Sequence, residues 1–223
     1  MRDADDTDRP RRSRGRPALP MERILGAAVE LVDEQGPEAL SMRSLSQRLE
    51  SGTATLYRHF SNRSELVSLV IDEILGEVDL DADELAAMPW QQACVTFAQH
   101  MFDALSRHGN VAPLLVEYTP MGPNALANRE RCLAVLLGNG FSPAVAAHAY
   151  ATLARYVLGF AIQLAGAASD GAQDAELSAA FHRLDPSRFP ATVTVADDLP
   201  VPLADEFAFG LRLIVAGLER LPE

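Results

Sequence analysis

A chain of 223 residues with 48% hydrophobic content has ample apolar material for a packed core, and its length suits a small domain joined to a medium one. The formal net charge of −12 is unevenly placed: residues 1 to 64 carry 11 Arg against 10 Asp plus Glu, while residues 65 to 223 carry 8 against 21. Phosphate repels so acidic a body, which excludes broad nucleic-acid binding and leaves local contact to the first third.

Residues 1 to 20 mix Asp and Arg with three prolines and no apolar periodicity, and read as a mobile arm. Inside it, Arg14-Gly15-Arg16-Pro17 resembles an AT-hook, in which an extended backbone lays two arginines along a narrow minor groove; Arg14 and Arg16 are its candidate DNA contacts, the alternative being a solvated basic tail. Four helices are predicted next, over residues 21–35, 41–48, 53–60 and 62–78, the last with a broad apolar stripe through Leu66, Val70 and Ile74. Ser41 is placed to cap the second helix, whose Met42, Leu45 and Leu49 recur at helical spacing, and Glu50-Ser51-Gly52 form a polar turn. In the third helix Leu56 and Phe60 point inward together, which turns Ala54, Thr55 and Arg58 outward and leaves Tyr57 and His59 on the flanks. Small side chains and an Arg suit a major groove, and Tyr and His suit the phosphates at its rims, although a helix pair of this shape also occurs as a plain structural hairpin.

The acidic stretch 79–84 is read as a hinge; it begins like a calcium loop but has Glu84 where that loop needs Gly. Beyond it, helical pieces are predicted near 88–108, 110–117, 123–138, 142–168, 172–183 and 203–220, with Pro123 and Pro143 marking starts. The Pro-rich stretch 184–202 is read as a loop in which Ala191 to Val195 alternates in a strand-like way. The 142–168 helix is rich in Ala and Gly, and the 203–220 helix carries a Phe207, Leu211, Ile214, Leu218 stripe beside Gly210 and Gly217, so both are expected to pair closely. Cys94 and Cys132 belong to no metal-spaced or CxxC set and are read as buried thiols of a cytoplasmic protein; neither a signal peptide nor a membrane-spanning run is expected. The fold class is therefore all-α, divided into the arm (1–20), a helix-turn-helix domain of three to four helices (21–78) and a larger helical domain (79–223).

Residues 21 to 78 resemble the DNA-binding domain of the tetracycline-repressor (TetR) family of bacterial transcription regulators. The resemblance rests on ILGAAVELVDEQG (24–36), on the Ser41, Arg43, Leu45, Leu49 pattern, on TLYRHFSNRSEL (55–66) and on the long helix that follows. It implies that Thr53, Ala54, Thr55 and Arg58 read bases. Arg43 would reach a base edge or phosphate, and Ser41, Tyr57, His59 and Arg63 would grip phosphate, the plain alternative for Ser41 and Arg63 being capping and solvent. It further implies a homodimer on a palindromic double-stranded DNA operator, released by a small-molecule effector held in the second domain, with no cofactor, no metal and no membrane. Weaker similarity to tetracycline-binding members continues through Trp90-Gln91, His108, Pro120 and Gly140-Phe141. Where those members hold the drug's metal ion with a histidine this chain has Leu115, and where they use asparagine it has Phe97, so tetracycline with magnesium is not the expected ligand. The cavity candidates are Phe97, His100, Met101, Leu115, Tyr118 and Arg155, each also readable as ordinary core except Arg155. Arg155 is the only charged residue between Cys132 and Ser169 and needs water, a carboxylate or a ligand; the pocket and the dimer interface both provide for that.

Two other functions remain open on sequence alone: an architectural protein for A·T-rich DNA built on the arm, and an enzyme on a helical scaffold. The acidic body opposes the first, and the lack of GxSxG, a phosphate loop, HExxH or spaced metal ligands opposes the second.

Overall fold

Ile24, Leu25, Ala28, Val29, Leu31 and Val32 bury one side of the first helix, α1 (Met21–Gln35), in the computed structural model, which describes residues 19–166 and 171–221. Gly36, at φ 83°, stops it, donating its N–H to the Val32 carbonyl. Helix α2 (Met42–Arg48) starts on a reciprocal pair in which the Ser41 hydroxyl accepts from Ser44 N–H and the Ser44 hydroxyl accepts from Ser41 N–H, both at 3.1 Å. Arg48 then ties α2 to α1 by a two-pronged bond to Glu34 (2.6 and 2.7 Å) and a third to Glu30 (3.0 Å). Those bonds hold the Glu34 carboxyl below the usual carboxylate range.

The turn into α3 (Thr53–Leu56) departs from expectation. Its left-handed residue is Glu50, at φ 47°, whereas Gly52 has an ordinary extended backbone. The α-helical part of the third helix is also shorter than the predicted 53–60, because after Leu56 the N–H groups of Arg58 and His59 reach back three residues, to Thr55 and Leu56, in tight turns. Leu56 and Phe60 are buried as expected. Asn62 caps α4 (Arg63–Gly76) by accepting from Glu65 N–H at 3.0 Å, and the Glu65 carboxylate accepts from Ser61 N–H at 2.6 Å.

Within the acidic stretch read as a hinge, residues 79–81 lie outside any helix and residues 82–84 begin α5 (Ala82–Ala87). Asp81 caps it by accepting from Asp83 and Glu84 N–H, and the acidic first turn suits the positive end of the helix. There follow α6 (Trp90–Arg107), α7 (Leu114–Glu117), α8 (Pro123–Gly138), α9 (Pro143–Gly166), α10 (Gly171–His182), α11 (Pro190–Thr194) and α12 (Leu203–Leu218). Helix α11 occupies the stretch read as loop with a strand-like alternation; Pro190 at its first position favours a helical start and supplies no N–H to a ladder. No strand occurs among the described residues.

Helix α9 lies at the centre of the second domain, packed on α6, α8 and α12. Residues 143–164 are long and apolar enough to cross a bilayer by those criteria alone, which corrects the expectation that no such run exists. Phe207 joins α12 to this centre by stacking on Phe102 (4.2 Å) and Tyr156 (5.3 Å), while the Tyr156 hydroxyl donates to the Phe207 carbonyl at 2.8 Å. A Cβ at Gly210 would overlap the Tyr156 hydroxyl, so that glycine serves packing within the chain. The Phe207, Leu211, Leu218 stripe is likewise buried inward, and the stripe α12 leaves uncovered is Phe209 with Leu213, at 56% and 59% exposure. Cys94 and Cys132 are buried, and burial pushes their thiols up to about 11 and 12.

Two polar seams join the N-terminal helices to this centre. In the first, the buried Asp72 of α4 caps α8. Pro123 has no N–H, so the first two free donors of α8 are those of Asn124 and Ala125, and both point at the Asp72 carboxylate (3.3 and 2.9 Å). Gly122 stands where a capping side chain would normally be, and a Cβ there would collide with the Asp72 carboxyl. The Asn124 side chain donates back to the Asp72 carbonyl at 3.0 Å, and Asn128 donates to the Leu75 carbonyl at 2.8 Å. In the second seam, His108 lies between Asp33 of α1 (2.7 Å) and Glu77 at the end of α4 (3.0 Å), and Asn110 donates to the Asp33 carbonyl. Asp72→Ala strips the cap and leaves two N–H groups in a buried site, so the expected loss is about 2 kcal/mol or more in urea unfolding.

Candidate DNA-binding face and effector cavity

The outward surface of the α3 segment is built from its inward anchors. With Leu56 and Phe60 fixed in the core, Thr53, Ala54, Tyr57 and Arg58 are exposed, and Thr55 and His59 are half-buried. The Arg58 guanidinium lies 3.5 Å from the Thr55 hydroxyl, so those two share one patch. Arg43 is exposed on α2. Ser41 and Arg63 are placed differently. The Ser41 hydroxyl is engaged in the cap of α2, and Arg63 donates from Nε to the Leu40 carbonyl (2.8 Å) and from Nη2 to the Pro37 carbonyl (3.2 Å). The arginine thereby pins the start of α4 to the α1–α2 connection. Arg14 and Arg16 lie outside the described residues.

A cavity of about 520 Å³ opens between α6, α7, α8 and α9, a size that suits a drug-sized molecule. Of the candidates read from sequence, Phe97, Met101, Leu115 and Arg155 line it, and His100 and Tyr118 do not. Arg155 is exposed in the single chain and, among the described residues, its guanidinium donates only to the Ala151 carbonyl one turn back, at 3.4 Å. Sequence reasoning missed Asn128, Arg129 and Tyr150. The usable signal was the buried Ala125, Cys132, Leu136 spacing on α8, which passes through positions 128 and 129; the neighbouring charges of Glu130 and Arg131 masked it by suggesting a solvated face. The wall also includes Leu75 of α4, whose carbonyl receives the Asn128 amide.

Residues 24–70 match the family profile described as "Bacterial regulatory proteins, tetR family", and residues 84–221, more than half of the chain, match "Tetracyclin repressor-like, C-terminal domain". The chain belongs to the TetR family. Among curated relatives, the repressor DrrR1 of Streptomyces coeruleorubidus is 31% identical over 97% of this chain and 83% of its own length. A regulator from Saccharopolyspora erythraea is 35% identical over 67% of this chain, a stretch that spans 62% of that relative. Among solved structures, the TetR-family protein ActR of Streptomyces coelicolor in complex with actinorhodin superposes with a TM-score of 0.78 at 29% identity, covering 90% of this chain and 97% of that one. A TetR-family chain is a DNA-binding transcriptional regulator with a helix-turn-helix domain and a larger ligand-binding domain, and these matches give no support to the architectural or enzymatic alternatives.

The two carbonyl bonds of Arg63 make a separable prediction for this TetR-family domain. Arg63→Gln should lower stability by about 1–3 kcal/mol in urea unfolding, since the Leu40 carbonyl loses the Arg63 bond and the Pro37 carbonyl keeps only the Leu40 N–H.

Proposed function

We propose that two copies of the chain bind one pseudo-palindromic operator in the cytoplasm, repress transcription there, and let go when a small molecule fills the cavity. The observation that carries this reading is that one helix serves both ends: α4 follows the exposed Thr53–Arg58 face directly and contributes Leu75 to the cavity wall. Thr53, Ala54, Thr55 and Arg58 contact base edges, Arg43 contacts a base edge or a phosphate, and Tyr57 and His59 contact phosphates at the groove rims. The Ser41 hydroxyl and the Arg63 guanidinium are already engaged in the fold, and their first role is to shape this domain. Arg14 and Arg16 add minor-groove contact of little sequence preference.

The homodimer is supported by what the single chain leaves uncovered. Phe209 and Leu213 stand out from α12, and beside them α9 and α12 form an apolar groove of about 260 Å³ through Val145, Ala149, Ile214 and Leu218. Each chain offers one recognition segment, so two-fold symmetry demands two matched half-sites. In the cavity, Phe97 and Leu115 replace the polar groups that tetracycline-binding members use, which favours a more apolar effector.

The double substitution Thr55→Ala with Arg58→Ala should cut operator affinity at least tenfold in a gel shift on the chain's own upstream DNA while leaving binding to random DNA within a few fold. Retention of operator affinity within a factor of two would mean that the recognition surface lies elsewhere. Leu213→Arg should convert dimer to monomer in sedimentation velocity and abolish operator binding with it; a dimer that survives places the interface on another face.

A further inference from the structure

Among the described residues, the cavity is lined by two arginines and by no Asp, Glu, His or Cys. The second domain is strongly acidic, with 21 acidic residues against 8 arginines beyond residue 64, yet among the described residues neither of these guanidiniums meets a carboxylate. Arg129, half-buried on α8, makes only long contacts: Nε to the Tyr150 hydroxyl at 3.4 Å, Nη2 to the Pro120 carbonyl at 3.3 Å and Nη1 to the Met121 sulfur at 3.8 Å. The Tyr150 ring lies 5.7 Å from its guanidinium carbon and orients it. Arg155 makes the single 3.4 Å contact to Ala151. A guanidinium carries five N–H donors and stays charged, so both side chains present most of their hydrogen-bonding capacity unspent.

The two come from packed helices and face the same space. On α9 the lining residues Tyr150, Ala151, Ala154, Arg155, Val157 and Leu158 form one strip at helical spacing, and Arg129 reaches the strip from α8 at Tyr150. Thr119 and Asn128 add two uncharged polar groups, and the rest of the wall is mostly apolar, with Phe97, Met101 and Leu105 from α6 and Leu115 from α7. A cation gains nothing from such a wall, and a ligand bridged through a metal finds no metal-binding side chain in it. A planar anionic group does, because it takes the fork of a guanidinium bidentately.

We infer that the effector is an anion: a bulky apolar body seated against Phe97 and Leu115, bearing a carboxylate or a comparably acidic group that Arg129 and Arg155 receive. This rests on the cavity being the effector site, and it adds the charge of the ligand and the two residues that select for it.

The test uses two fluorescent probes with nearly the same body, anionic anilinonaphthalene sulfonate and uncharged N-phenylnaphthylamine, on the full-length protein. Both should bind with the sulfonate at least tenfold tighter, and each should compete with the other. Arg129→Met and Arg155→Met should each weaken the sulfonate tenfold or more and leave the neutral probe within a factor of two, with the dimer intact in sedimentation velocity. Arg183→Met, on an exposed arginine that does not line the cavity, should change neither, and Arg155→Lys should restore part of the loss. Equal binding of the two probes, with no selective loss in either variant, overturns the anion inference while the cavity stands. Failure of both probes to bind overturns the cavity reading itself. Dissociation of the dimer by Arg155→Met with probe selectivity unchanged assigns that arginine to the interface and overturns its role here.

Discussion

A carboxylate on one helix closing the open end of another is the constraint on which this architecture turns. Helix α8 begins at Gly122-Pro123, a start that supplies no capping side chain of its own. Asp72 provides the missing acceptor from α4, and does so from a buried position where two backbone N–H groups meet its carboxyl oxygens. The consequence is positional: α4 cannot slide along α8 without uncovering those donors. The reciprocal bonds from Asn124 and Asn128 to α4 carbonyls make the seam resist motion in either direction. Helix α4 is thus held at its middle and C-terminal turns by the second domain and at its start by Arg63 and Asn62 of the first.

That arrangement explains why the cavity and the exposed α3 face belong to one mechanical unit. The cavity wall includes Leu75 and Asn128, the two residues whose bond ends the seam. A displacement of α8 at Asn128 is felt at the last turn of α4, and the other end of α4 adjoins the segment carrying Tyr57 and Arg58. The second seam, His108 between Asp33 and Glu77, ties α1 to the same end of α4.

How much of this was readable beforehand depended on the range over which each feature is determined. The helix-turn-helix was legible because its signals are local: Leu56 and Phe60 four apart, Ser41 before an apolar run, and the Leu66, Val70, Ile74 stripe of the long helix that follows. Asp72 was illegible as a cap, since on its own helix it looks like one more polar position and its partners are more than fifty residues away in sequence. On α12 the apolar residues are so numerous that two stripes satisfy helical spacing, and only the packing of Tyr156 and Phe102 decides that Phe207 turns inward and Phe209 outward. The helix that starts inside the 79–84 stretch was hidden for a different reason: carboxylates that look like a solvated run are also what the start of a helix prefers. Arg155 was conspicuous because it was isolated, and Arg129 was hidden because it was not.

The buried thiols set the regulator's chemical exposure. With Cys94 and Cys132 pushed up to about 11 and 12, the thiolate fraction at neutral pH is on the order of one part in ten thousand or less. Oxidants and electrophiles attack thiolate at accessible sulfur, and here both sulfurs sit inside the packing of α6 and α8. These two cysteines are therefore poor targets for oxidants and electrophiles, and a reactive compound does not readily mark the protein covalently through them.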